Sequence, residues 1–294
     1  MNRQKIIISG ILAAGGLALA CSAYETAHIS AAEYKISSDK IPENKKIKIV
    51  FLSDLHGKTY GKDNSCLLGL ILSKKPDLIL IGGDMYTASD SDNDRKLLPF
   101  LKALRKAAPV FFAPGNHEEY LKAETGRFGK RYELIKKDLR SAGIKLLENK
   151  RTDLENNISV YGLELPKGYY RRLNKRTPDI RDMERYLKSP DKGRFNILLA
   201  HTPAFFDTYE KWGPDLVLSG HYHGGIIGMP DIKKSGARRG FISPDLKFFP
   251  KNCQGRVRKN DTDLIISAGC GSHGIDFRLF NKPEVVFIEL SSKA

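Results

Sequence analysis

Five short stretches place histidine, acidic or amide side chains at the end of an apolar run, four of them with glycine close by. The first reads Ile49-Val50-Phe51-Leu52-Ser53-Asp54-Leu55-His56-Gly57. Side chains alternate along a strand, so Asp54 and His56 can reach the same side of the backbone. One carboxylate and one imidazole aimed at one point form half of a metal site. Leu78–Ile81 runs into Gly83-Asp84, and Val110–Ala113 runs into Gly115-Asn116-His117-Glu118. Asn196–Ala200 runs into His201, and Leu216–Ser219 into Gly220-His221-Tyr222-His223-Gly224. A sixth stretch, Ser267-Ala268-Gly269-Cys270-Gly271, has the same shape without a clear ligand. Of seven histidines, only His28 and His273 fall outside these stretches. Mixed nitrogen and oxygen donors suit Mn²⁺, Zn²⁺ or Fe. Glycine beside such donors lets the backbone approach a metal or a phosphate.

Strands must carry these ligands, and the chain between them reads as helix. Helical patterns occur near 63–74, 93–107, 130–142, 179–188 and 203–210, and Pro76, Pro109 and Gly143 mark ends. Strands alternating with helices make βαβ units, and an open α/β sheet builds its site beyond the carboxyl ends of its strands. The 294 residues suit one domain of about 250 residues plus an appendage. The expected division is an N-terminal segment over 1–24, a tether over 25–46 with an edge strand near 34–36, and one domain over 47–294.

The five stretches, in this order, resemble the motifs of the calcineurin-like metallophosphoesterases, and the resemblance covers about 47–290. It implies an α/β fold, a two-sheet β-sandwich flanked by helices. It also implies two divalent ions, Mn²⁺ or Zn²⁺ with Fe as a further option. Asp54, His56 and His223 would hold one ion, Asn116, His201 and His221 the other, and Asp84 would bridge them. Two such ions can neutralise a nucleophile and a phosphate together. By that resemblance a metal-bridging hydroxide attacks phosphorus. Only Asp54 and Asp84 bring negative charge, so the site keeps a positive balance for the phosphate. His117, next to a ligand, would stabilise the transition state or protonate the leaving oxygen, with Asp54 orienting it. Glu118 and Glu119 read as supporting or helix-start residues. Tyr222 stands where the family commonly has a small polar residue, which would narrow the pocket.

The formal charge is +15, with 49 Lys and Arg against 34 Asp and Glu. That balance favours anionic partners but does not choose among phosphates, lipids and nucleic acid. No nucleic-acid module accompanies it, so no specific nucleic-acid partner is indicated. The four cysteines show no paired spacing, which argues against a disulfide framework or zinc knuckle. Basic residues concentrate in two insertions. Lys167–Arg194 carries Arg171 and Arg172, and Gly228–Arg258 carries Arg238, Arg239, Phe248 and Phe249. Each reads as a solvated loop or as a rim for an anionic or amphiphilic substrate. Arg171, Arg172, Tyr222 and His273 are the candidate substrate contacts.

Ile6–Ala23 contains no charged residue and follows Arg3 and Lys5. A span needs about 20 apolar residues, so a retained membrane anchor is the first reading. A signal cleaved after Ala20 and a lipoprotein signal at Cys21 are the alternatives. The preceding basic residues put the N-terminus in the cytoplasm and the domain outside. Gly61-Lys62-Asp63-Asn64 and Arg278-Leu279-Phe280-Asn281-Lys282-Pro283-Glu284 resemble a membrane-anchored subgroup of the family. The function this implies is hydrolysis of a phosphomonoester or of a lipid-linked or nucleotide-sugar pyrophosphate at the membrane. A phosphodiesterase or nuclease is the alternative, and an inactive scaffold is disfavoured because all the ligands are present.

Overall fold

The apolar runs become strands whose two faces enter different cores. In the computed structural model, residues 3–89, 91, 94–171, 176–228, 240–242, 252–272 and 276–293 are described. The first half runs through α1 (Arg3–Ala27), β1 (Ser30–Ser38), β2 (Lys46–Leu52), α2 (Ser65–Ser73), β3 (Leu78–Ile81), α3 (Asp94–Ala107), β4 (Val110–Phe112), α4 (Asn116–Ala123), α5 (Thr125–Phe128), α6 (Arg131–Ser141) and β5 (Lys145–Leu146). The second half adds β6 (Lys150–Asp153), β7 (Ile158–Leu163), α7 (Ile180–Leu187), β8 (Phe195–Ala200), α8 (Phe206–Trp212), β9 (Leu216–Ser219), β10 (Ile227–Gly228), β11 (Gly240–Ile242), β12 (Gly255–Lys259), β13 (Thr262–Ile266) and β14 (Glu284–Ser292).

Two mixed six-stranded sheets form, ordered β1-β14-β2-β3-β4-β5 and β12-β13-β9-β8-β7-β6. Ile49, Phe51, Leu78 and Leu80 of the first sheet meet Val160, Ile197, Leu199, Leu216, Leu218 and Ile265 of the second. The intervening Val50, Leu52, Ile79 and Ile81 face outward onto Leu67, Leu97, Phe100, Leu101 and Leu104. Those α3 residues recur at the spacing of one helix face. On the opposite outer side, Tyr161, Leu198, Val217 and Leu264 pack against Met183, Leu187, Tyr209 and Trp212. This is the helix–sheet–sheet–helix order that the resemblance implied.

Strands β2, β3 and β4 are mutually parallel, as are β7, β8, β9 and β13. Their carboxyl ends therefore line one edge of each sheet, and the ligand stretches follow them. The segment read as a tether contains all nine residues of β1, hydrogen-bonded along its length to β14. Helices α2, α3, α6, α7 and α8 fall within a few residues of where the sequence pattern put them, whereas α4 and α5 were not in that pattern.

The basic insertion Lys167–Arg194 divides. Its α7 is capped by Asp179, whose carboxylate accepts from the Asp182 N–H at 2.9 Å. That helix buries Met183 and Leu187 in the outer core, so it is a layer of the fold rather than a solvated loop or a substrate rim. Arg194 donates to the carbonyls of Leu154 and Ile158, each at 2.7 Å. Arg238, Arg239, Phe248 and Phe249 lie outside the described residues.

Candidate metal centre

Loops from both sheets bring the ligand stretches to one place. Three groups of donors lie within 4.8 Å of one another: Asp54, His56 and His223; His56, Asp84 and His117; Asp84, His201 and His221. Asp84 belongs to two of them. Its Oδ2 stands 3.9 Å from His56 Nε2 and 3.1 Å from His201 Nε2. Asp54 Oδ1 is 3.5 Å from His223 Nε2 and 3.8 Å from His201 Nε2. His56 Nε2 and His223 Nε2 are 3.3 Å apart, and Asn116 Oδ1 lies 2.8 Å from His221 Nδ1. Adjacent ligands about 2.1 Å from one ion stand about 3 Å from each other, so these separations fit shared ions.

The backbone bends sharply to achieve this. Asp54, His56, Asp84, His221 and His223 all have positive φ, between 49° and 71°. Such conformations cost about 1–3 kcal/mol each for residues with a Cβ and cluster at functional sites. Two glycines allow the loops to close. A Cβ on Gly83 would fall on the backbone of Gly115, and one on Gly220 would strike the Asp54 carboxylate.

Hydrogen bonds set which imidazole nitrogen faces the centre. His201 Nδ1 lies 2.8 Å from the Gly82 carbonyl, and His223 Nδ1 lies 3.0 Å from the Gly271 carbonyl. A carbonyl only accepts, so each Nδ1 carries hydrogen and each Nε2 is the nitrogen turned inward, which offers a lone pair to an ion once it is unprotonated. His201 Nε2 is buried and makes no hydrogen bond of acceptable geometry, despite the nearness of Asp84. A buried acceptor aimed at carboxylates is what a cation would satisfy, and the residues present fit two divalent ions.

His117 is oriented the other way. Ala88 N–H donates to its Nδ1 at 2.9 Å, so its hydrogen is on Nε2. Its own N–H donates to Asp84 Oδ1 at 2.8 Å. The His117 and His56 ring centroids are 4.8 Å apart.

Burial alone would raise the Asp84 carboxyl, but the neighbouring His201, His117 and His56 hold it well below its ordinary value. Burial alone would lower His201, yet the carboxylates of Asp84 and Asp54 lift it to about 10. Burial wins at His223 over the pull of Asp54, and its pKa falls.

Glu118 and Tyr170 were not among the candidate site residues. Glu118 is fully buried and accepts from the N–H groups of Asp84 and Gly115, each at 2.8 Å, and of Tyr86 at 3.2 Å. It pins the Asp84 loop to the Asn116 loop. Burial and the Asp84 charge push its pKa up to about 7. Tyr170 is buried, its ring 5.8 Å from His221 and 6.4 Å from His201. Its place in a basic loop gave no signal of this. Arg171, the next residue, is exposed. Tyr222 is half-buried, its ring 5.4 Å from His221. Arg172 and His273 lie outside the described residues.

Residues 47–225 match the calcineurin-like phosphoesterase family. An uncharacterized metallophosphoesterase of Aquifex aeolicus is 28% identical over 93% of this chain and 96% of its own length. Phosphodiesterase YaeI of Escherichia coli is 31% identical, covering 83% of this chain and 82% of that protein. A Danio rerio transmembrane protein with metallophosphoesterase domain is 27% identical over 97% of this chain, which spans 61% of it. The chain also spans 64% of the Helicobacter pylori relatives it matches. With the family matched over more than half its residues and the donor clusters in place, the chain belongs to the calcineurin-like phosphoesterases, as a metal-dependent phosphoester hydrolase.

Proposed function

We propose that the chain hydrolyses a phosphomonoester, or a lipid-linked or nucleotide-sugar pyrophosphate, at a membrane surface. The observation that carries the reading is Asp84, within reach of both histidine groups. In this reading Asp54, His56 and His223 would hold one ion and Asn116, His201 and His221 the other, with Asp84 placed to serve both. When bound, two such ions supply an activated water and offset phosphate charge. Asn116 adds a donor without cancelling that positive charge.

The chain's own residues do the remaining work. His117, with its hydrogen on Nε2, stabilises negative charge growing on the leaving oxygen. A second proton on Nδ1 would displace the Ala88 bond, so hydrogen bonding is favoured over full proton transfer. Tyr170 and Tyr222 wall the side next to His221 and exclude water. Arg171 and Tyr222 are the proposed substrate-side contacts among the described residues.

The membrane part rests on α1. Its segment Ile7–Ala27 is long and apolar enough to cross a bilayer, and Ser22 and Thr26 are its only buried residues. Arg3 and Lys5 precede it, which supports a cytoplasmic N-terminus and an outward domain. The Danio rerio relative, a transmembrane protein, supports a membrane location too. Outside the cytoplasm, Mn²⁺ or Zn²⁺ is favoured over readily oxidised iron. The name of the Escherichia coli relative favours a second reading, a phosphodiesterase.

The test is turnover of p-nitrophenyl phosphate and bis-p-nitrophenyl phosphate by the full chain in detergent, with Mn²⁺ or Zn²⁺. Monoester turnover that EDTA abolishes is expected. Preference for the diester selects the second reading, and no turnover of either by protein with both ions bound overturns both.

A further inference from the structure

The C-terminal end of α1 is built into the domain. Ser22 and Thr26 are 3% and 7% exposed, unlike the apolar residues that precede them. Only His28 and Ile29 separate α1 from β1. Ser22 Oγ accepts the Arg278 N–H at 2.9 Å, and Glu25 Oε2 accepts the Asn281 N–H at 2.9 Å. Lys282 Nζ lies 5.0 Å from the centroid of the Tyr24 ring.

The loop that α1 grips is the loop that holds His223. Asn281 is buried, and its Nδ2 donates to the carbonyls of His223 and Gly225, each at 2.5 Å. Arg278, also buried, spreads its guanidinium over backbone carbonyls. Nη2 donates to Gly271 at 2.6 Å and Ala268 at 2.8 Å, while Nη1 reaches His223 and Asn281 at 3.5 and 3.4 Å. Gly271 is the residue whose carbonyl orients His223 Nδ1. Gly224 has no room for a Cβ beside Asn281, so the two loops are in contact. Two hydrogen bonds thus lead from Glu25 to the backbone of His223. Phe280, the residue before Asn281, has a φ of 57°, which is uncommon for a bulky residue.

We propose that the last two turns of α1 are a positioning element of the metal centre. Through Asn281 and Arg278, Glu25 and Ser22 fix His223 against Asp54 and His56, so the ion held by those three binds tightly only while α1 is seated. This rests on the reading of His223 as a ligand. It ties the proposed membrane helix to one of the two ions and makes its exit from the bilayer part of the catalytic assembly.

The experiment uses the full chain in detergent, stripped with EDTA and titrated with Mn²⁺ by calorimetry. Co²⁺ titration followed by visible absorption reports the geometry of each ion. The wild type should take two ions. Loss of an outer partner of a ligand typically costs about 10–100-fold in metal affinity. Glu25→Ala should weaken one ion by that factor, change its Co²⁺ band and leave the other ion alone. Glu25→Gln keeps an oxygen acceptor and should restore the wild-type titration. A thermal melt of each metal-free variant verifies folding. Two unchanged ions in a folded Glu25→Ala protein overturn the proposal. So does equal weakening of both ions, which marks Glu25 as merely structural. If the wild type takes up no ions at all, the ligand reading itself falls.

Discussion

His117 shows how one backbone N–H can decide a side chain's chemistry. Ala88 occupies Nδ1, leaving Nε2–H as the only donor. His117→Ala should lower turnover about 10²–10³-fold, the usual effect of removing one donor to developing charge, while both ions remain by metal analysis. Full activity in that variant would remove the role. In the proposed site, His201 should set the pH dependence of metal uptake. Its metal-free pKa is raised from 6.5 to about 10 by Asp84 and Asp54, against its burial. The proton therefore stabilises the metal-free fold fully below pH 6.5, and that stability is lost as pH rises through about 10. An ion must displace this proton, so affinity should rise between those limits, by up to about tenfold per pH unit. Calorimetry in buffers of different ionisation enthalpy should show proton release near pH 8. A flat affinity from pH 7 to 9 would contradict it.

The elements were legible to different degrees. Each candidate ligand sits beyond a strand of apolar residues, and the unbroken apolar runs of β2 and β3 fit burial on both faces, but which residue enters which core was not legible in them. The left-handed backbone at Asp54, His56, Asp84, His221 and His223 was not legible. Residue type disfavours it, and only the meeting of several loops imposes it. Glu118 was read as supporting, but its three backbone partners come from two loops more than 30 residues apart. Such partners leave no mark on local sequence. Tyr170 and Asn281 escaped for the same reason. The loop packing gives a sharp expectation. Gly220→Ala would drive a methyl into the Asp54 carboxylate, so ion binding should be lost while helix content measured by circular dichroism is kept. Normal metal content in that variant would show that the loops can give way. In the inter-sheet core, Leu199→Ala should cost about 2–5 kcal/mol in denaturant unfolding, since Leu199 is fully buried.

At the scale of the whole molecule, metal and fold should stabilise each other. Strained ligand backbones and clustered carboxylates oppose closure of the centre, and cations relieve the second. Ions present at about 100 times their dissociation constant should add about 2.7 kcal/mol per site. EDTA should therefore lower the melting temperature, and excess Mn²⁺ should restore it. The resemblance supplied the sandwich, yet the first sheet holds something that no local pattern announced. Strand β14 inserts between β1 and β2, parallel to the first and antiparallel to the second. Of the described strands it is the last to leave the ribosome. Until it does, β1 has no neighbour in its sheet, and the nascent chain must wait with one hydrophobic edge open. If α1 has already entered the bilayer by then, that waiting takes place on a tethered, half-built domain, where a chaperone at the translocation exit would have the most to protect.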